Sequence, residues 1–244
     1  MSIADNIARI RSRIADACAR SGRPRESVRL MAVSKTHPAA SILEARSAGI
    51  HLFGENRVQE YASKRESLAA AAFFNAPQPA RVHCIGTLQS NKAARAVELF
   101  DAIDTLDSLR LAERLNQAAA ALHKQMPVCV EIKLSPEPTK HGLAPHAPEL
   151  DQLFERLPDL QNLQVRGLMT VPPYADNPEL ARPCFRQLRQ LRESLSRRHP
   201  RLQLEELSMG MSHDFSVAIE EGATLVRVGT AIFGPRIAGV PRQE

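Results

Sequence analysis

Four features of the 244-residue sequence carry residue types that could do chemistry. Lys35 ends the apolar run LMAVS, where partial desolvation lowers a lysine pKa and makes the neutral amine available to attack a carbonyl and form a Schiff base. Arg227 interrupts the apolar strand pattern TLVRVGTAIFG, and alternation sets it opposite in facing to Val226 and Val228. Gly229 and Thr230 follow at once, a pair that offers backbone N–H groups and a hydroxyl to an anion. Ser208 and Gly210 can close the other side of that cradle. Together with Lys35 they describe a site for an aldehyde that also bears a phosphate.

Each feature also has a plain structural reading. Lys35 can be a strand-end lysine reaching water past its own aliphatic stem. Arg227 can close a buried ion pair with Glu131, Glu205 or Glu206. Ser208, Gly210, Gly229 and Thr230 can be turn residues and nothing more. His37 and His83 have no partners at metal-ligand spacing, and no metal is predicted. The sequence contains no G-x-G-x-x-G, no phosphate-loop motif and no G-x-S-x-G elbow.

Positioning such residues requires a scaffold, and the chain alternates short β-favouring runs with longer helical patterns. The runs are residues 28–35, 51–56, 81–86, 101–106, 127–134, 163–170, 204–210 and 224–234, eight in all. Pro38 opens a helix that Gly49 closes, Ser212 is placed to cap one that stops at Gly222, and Leu109, Ala112, Leu115, Ala119 and Leu122 recur at helical spacing. Eight β-then-α units predict an α/β protein of one domain over residues 1–244, a (β/α)₈ TIM barrel spanning about 28–236. Ile3, Ile7, Ile10 and Ile14 predict an extra amphipathic helix over about 1–22.

In such a barrel the active site lies at the C-terminal ends of the strands. The residues to inspect are then Lys35, Asn56, His83 with Gly86, Asp104, Lys133, Met169 with Thr170, Ser208 to Gly210, and Arg227 to Thr230.

Composition sets the outer bounds. Hydrophobic residues make up 43% and charged residues 24%, ordinary globular values, and the absence of tryptophan predicts an aliphatic core. A net charge of +5 suits an anionic ligand without choosing between a small phosphate compound and a polynucleotide. The basic stretch Arg186 to Arg201 has Leu188, Leu191 and Leu195 on one helical face and reads as a solvated helix, so no nucleic-acid partner is predicted. Cys18, Cys84, Cys129 and Cys184 form no C-x-x-C pair, which favours reduced thiols and a cytoplasmic location. The opening residues lack a signal-peptide pattern, and no membrane span is predicted.

The chain resembles the pyridoxal phosphate homeostasis protein family, whose fold is similar to the N-terminal barrel of alanine racemase. The resemblance runs through AVSKTHP (32–38), FGENRVQE (53–60), HCIGTLQSNK (83–92), RGLMTVPP (166–173), LSMGMSHDF (207–215) and VRVGTAIFG (226–234), in that order. It implies pyridoxal 5′-phosphate (PLP) as cofactor, held as a Schiff base on Lys35. It further implies Arg227 facing the pyridine nitrogen, Ser208, Gly229 and Thr230 on the phosphate, and Asn56 lining the cofactor, with Gly210, Met169 and His83 as neighbours. Lys140, in TKHGL, matches a loop lysine of the family. Two positions depart from the pattern: Val82 replaces a large aromatic and His213 an acidic residue.

An arginine at the pyridine nitrogen keeps that nitrogen unprotonated and weakens the ring as an electron sink. A racemase also needs a second acid/base, which similar enzymes take from a tyrosine of another domain; here only Tyr61 and Tyr174 exist and the βα units consume the chain. The expectation is therefore a monomeric PLP-binding protein of intracellular PLP homeostasis and delivery, without turnover of its own, passing PLP to apo-enzymes. The alternatives are a low-activity PLP-dependent amino-acid racemase and a Schiff-base aldolase acting without PLP.

Overall fold

The computed structural model describes residues 2–71, 73–75, 77–135, 137 and 140–235. Helix α1 (Ile3–Arg20) opens the chain, started by a capping box in which the Ser2 hydroxyl accepts from Asp5 N–H and the Asp5 carboxylate accepts from Ser2 N–H. Ile7, Ile10 and Ile14 are buried on its inner face. At about 2 kcal/mol per fully buried isoleucine, this stripe fastens the helix to the body. Arg11 adds hydrogen bonds to the carbonyls of Ala48 and Gly49, and Asn6 one to Ile232.

Strands and helices then alternate: β1 (Arg29–Val33), α2 (Ala39–Ser47), β2 (Leu52–Glu55), α3 (Val58–Ala70), β3 (Arg81–Cys84), α4 (Ala93–Leu99), β4 (Ala102–Leu106) and α5 (Leu109–Ala121). The second half continues through β5 (Met126–Glu131), α6 (Pro148–Arg156), β6 (Leu163–Met169), α7 (Arg182–Arg198), β7 (Glu206–Ser208), α8 (Phe215–Glu220), β8 (Leu225–Val228) and α9 (Thr230–Phe233). The eight strands are parallel and close in sequence order, β1 pairing with β8 through Met31 opposite Arg227 and Ala32 opposite Val228. The fold is the expected (β/α)₈ barrel.

Three local expectations fail. Residues 224–234 are not one long strand: β8 ends at Val228, and Thr230–Phe233 form a single helical turn, too short to leave a periodic signal in an apolar sequence. Ser212 does not cap α8, whose N-cap position is Asp214. Leu122 also leaves its predicted face; it lies past the end of α5 and is exposed.

Alternation sorts the strand residues into two shells. Ala32, Phe53, Val82, Ile103, Val128, Leu168, Leu207, Val226 and Val228 belong to the apolar layer between strands and helices. The inward positions are different in kind. Met31, Ile85 and Cys129 share the interior with His83, Asp104, Glu131, Glu206, Ser208 and Arg227, all buried except the partly exposed Ile85. Gly54 makes room there, since a Cβ on it would come 2.7 Å from both Ile85 Cδ1 and Met31 Sδ. Where a barrel interior is commonly filled by branched aliphatics, this one is lined with ionisable groups.

All four cysteines are free and buried, and no helix among the described residues is long and apolar enough to cross a membrane. The basic stretch on α7 is engaged at the surface, with Arg182, Arg186 and Arg189 all in contact with Glu221.

Candidate functional site

At the C-terminal ends of the strands a cavity of about 830 Å³ opens, lined by Lys35, Asn56, Glu131, Lys140, Arg227 and Gly229 among others. The first and last strands are neighbours in the closed barrel, so residues from opposite ends of the sequence meet at this mouth.

Lys35 is half-buried two residues past the end of β1. The following residue, Thr36, has φ of 66°, an uncommon conformation for a β-branched side chain, and must be held there by its surroundings. Its N–H donates to Glu60 Oε1 at 2.5 Å, and Lys64 Nζ bridges Glu60 Oε1 (2.7 Å), Glu55 Oε1 (3.1 Å) and the Ser34 carbonyl (3.2 Å). Ser34 Oγ in turn donates to Glu55 at 2.7 Å. Burial raises the Glu55 pKa, opposed mainly by the Lys64 charge, while hydrogen bonds from Lys64 and Thr36 outweigh burial at Glu60 and lower its pKa. The network fixes the backbone that carries Lys35.

Arg227 points inward, as alternation required, and is 4% exposed. Nη1 donates to Ser208 Oγ and Nη2 to the Thr170 carbonyl, each at 2.7 Å. Among the described residues it closes no ion pair; burial lowers its pKa, opposed by the charges of Asp104, Glu131 and Asp214, and the guanidinium stays cationic. Glu206, offered above as its partner, pairs with Arg29 instead.

Gly229 packs closely on β1, where an added Cβ would meet the Val33 carbonyl oxygen at 3.3 Å. The N–H groups of Gly229 and Ala231 converge on Ser212 Oγ, at 3.2 and 3.3 Å. Thr230 is exposed beside them on the cavity wall. A hydroxyl that accepts from two amides keeps its own proton for an anion.

Several of the other predicted residues fall elsewhere. Ser208 is fully buried and braces Arg227 rather than lining the mouth. Gly210, at φ of 92°, accepts from Arg227 N–H through its carbonyl and admits no Cβ, which would stand 2.6 Å from Ala218 Cβ. Met169 is buried within the barrel, outside the lining of the mouth. His83 lines a separate cavity at the opposite end, its Nδ1 3.1 Å from Asp104. Lys133 does not line the mouth, while Lys140 does, with Nζ 3.9 Å from Glu137. Of the two departures from the family pattern, Val82 faces the helices and cannot reach the site. His213 is on the rim, its Nε2 2.8 Å from the Asp176 carbonyl and its ring 6.0 Å from that of Tyr174.

Two site residues escaped the sequence reading. Ser212 reaches Gly229 and Ala231 across two loops, a contact no local spacing encodes. Glu131, considered only as an ion-pair partner, is a buried cavity-wall carboxyl pushed up to about 7 by burial and by the Asp107 charge, against the pull of Arg227. Its Oε2 and Asn56 Oδ1 are buried without a hydrogen-bond partner among the described residues. Buried acceptors of this kind are costly unless a ligand satisfies them. A cavity with two such atoms, an amine, a fixed guanidinium and an amide–hydroxyl cradle fits a polar aromatic aldehyde bearing a phosphate.

The sequence profile described as "Alanine racemase, N-terminal domain" matches residues 3–236. The pyridoxal phosphate homeostasis protein of Aquifex aeolicus (strain VF5) is 42% identical over 236 residues, covering 97% of this chain and 99% of that one. PipY of Synechococcus elongatus PCC7942, solved with PLP bound, is 42% identical with a TM-score of 0.82, covering 96% of this chain and all of that one. The alanine racemase of Streptomyces coelicolor A3(2) shares the fold, with a TM-score of 0.68 at 21% identity, and this chain covers 58% of its length. On these matches, spread over nearly the full sequence, the chain belongs to the alanine racemase N-terminal-domain family and, within it, to the pyridoxal phosphate homeostasis proteins.

Proposed function

We propose that the chain binds PLP at the mouth of the barrel, with Lys35 as the point of attachment, and serves intracellular PLP homeostasis and delivery without turnover of its own. The observation that carries this reading is the convergence of Lys35, Arg227 and Gly229 on one cavity whose wall also holds the unsatisfied Asn56 and Glu131 oxygens. The PLP bound to PipY, at 42% identity, supports the choice of cofactor. When bound, PLP supplies an aldehyde that condenses with a primary amine into a Schiff base, releasing water, and that a second amine can take over.

The residues divide the work. Lys35 presents its amine from a backbone clamped by Glu60 and Lys64. Arg227, oriented by Ser208 and Thr170, offers a permanent cation to the ring nitrogen and keeps it unprotonated. Gly229, Thr230 and Ser212 receive the phosphate, and Asn56 lines the ring. The site lies open at the rim, as exchange of the cofactor requires. Cytoplasmic location, a monomeric state and PLP-dependent apo-enzymes as recipients belong to the same proposal; four free cysteines suit a reducing compartment.

Borohydride reduction of the yellow protein is expected to fix a pyridoxyl-phosphate adduct on Lys35, read by peptide mass spectrometry, and Lys35→Ala to abolish the yellow absorption. Unaltered colour in that variant overturns the assignment, and a colourless wild type returns the aldolase reading. A second reading, a low-activity amino-acid racemase, is favoured by Glu131, a carboxyl titrating near neutrality on the cavity wall. Tyr61, buried against Phe100, is not available for that role, and Tyr174 is 77% exposed on the rim. Incubation with L-amino acids in deuterated water separates the two, since rapid exchange at Cα with racemised product establishes the enzyme.

A further inference from the structure

The other end of the barrel carries a second cavity, of about 450 Å³, that the PLP reading leaves unused. We propose that it is an anion site for a phosphoryl dianion, either inorganic phosphate or the phosphoryl end of a small monoester.

Five arginines line it: Arg11, Arg25, Arg29, Arg81 and Arg166. Arg29 and Arg81 begin β1 and β3 on the inward register of Met31 and His83, so their side chains belong to the barrel's own floor. Three carboxylates, Asp101, Asp104 and Glu206, share the cavity, which leaves two guanidinium charges in excess. The carboxylates are already engaged. Asp101 accepts from Val82 N–H, Glu206 pairs with Arg29, and Asp104 accepts from His83. Burial works against the His83 imidazolium, but the charge and hydrogen bond of Asp104 outweigh it and raise its pKa.

Arg11 and Arg25 bind backbone carbonyls, whereas Arg81 and Arg166 make no ion pair or side-chain hydrogen bond among the described residues. Two guanidinium forks on the wall of one concavity, with a surplus of two positive charges, match a doubly charged oxyanion. The same charges argue against the alternative ligand. Asp104, Cys129 and Glu206 bring donor atoms within 4.8 Å of one another, but the arginine rim repels a divalent cation, Glu206 already pairs with Arg29 and Asp104 already binds His83. The volume exceeds what a bare phosphate fills, and a monoester would place its organic part against the aliphatic stems of the arginines.

The test is a titration of the PLP-loaded full chain with inorganic phosphate and, separately, glycerol 3-phosphate, followed by amide NMR shifts. Shifts are expected at the starts of β1, β3 and β6, weakening as salt is raised. Equal affinity for the two ligands identifies free phosphate and tighter binding of glycerol 3-phosphate identifies the ester; both support the site. Arg81→Gln and Arg166→Gln should each weaken binding about tenfold or more while leaving the PLP absorption unchanged. Arg81 is exposed and its replacement does not threaten folding. Shifts confined to Gly229–Ala231, absence of binding to either ligand, or undiminished affinity in Arg81→Gln overturns the proposal.

Discussion

Arg227 Nη1 donates to Ser208 Oγ at 2.7 Å inside the barrel, so the residue expected to touch a phosphate is the one that aims the guanidinium. Replacing Ser208 with alanine leaves a buried donor of a charged group without its acceptor. The expected loss is about 1–3 kcal/mol of stability, measured by urea unfolding, together with weaker PLP binding in a visible-absorbance titration.

Glu131 makes stability depend on pH. Its carboxyl is raised from 4.5 to about 7 in the folded protein, so the folded state holds a proton that the unfolded state gives up earlier. Stability from this group is complete below about pH 4.5 and is lost as pH rises toward 7, by on the order of 3 kcal/mol if no ligand intervenes. Urea unfolding near pH 5 and near pH 8 should show the decline in the wild type and a flatter profile in Glu131→Gln.

Glu60→Ala removes the acceptor that holds Thr36 at positive φ and one of the two carboxylates on Lys64. A destabilisation of about 1–3 kcal/mol is expected. The more telling readout is the Lys35 spectrum: PLP affinity should fall although Glu60 lies outside the cavity lining, and Glu60→Gln should recover part of it.

Gly86→Ala tests how tightly the mouth is built. An added Cβ would lie 2.2 Å from the Asn56 carbonyl oxygen, which no rotamer can relieve. Backbone displacement at Asn56 is expected to lower the melting temperature by several degrees and to weaken PLP binding together with it.

The barrel and the inward facing of Arg227 were legible because they rest on local patterns: eight short apolar runs, and alternation about one arginine. The assumption that each run's end lies at the mouth was less reliable. It placed Lys35, Asn56 and Gly229 correctly on the cavity wall, yet His83 stands two residues before Ile85 and belongs to the floor. Ser208 fails for a related reason, since β7 is only three residues long and its last side chain is still inside the barrel. Ser212 and Glu131 depend on which loop or strand lies opposite, information that a linear spacing does not hold. The single turn at Thr230–Phe233 was hidden by its own composition, as β-favouring residues too few to show a period read like a continued strand.

The seam between β1 and β8 has a consequence for when the site exists. Lys35 is synthesised well before Arg227 and Gly229, and the two groups meet only when β8 docks against β1. A growing chain therefore carries Lys35 long before the cavity wall formed by Arg227 and Gly229 exists. Ligand bound across that seam favours the closed ring over any form in which the final strand has detached, so occupancy of the mouth reports a finished barrel.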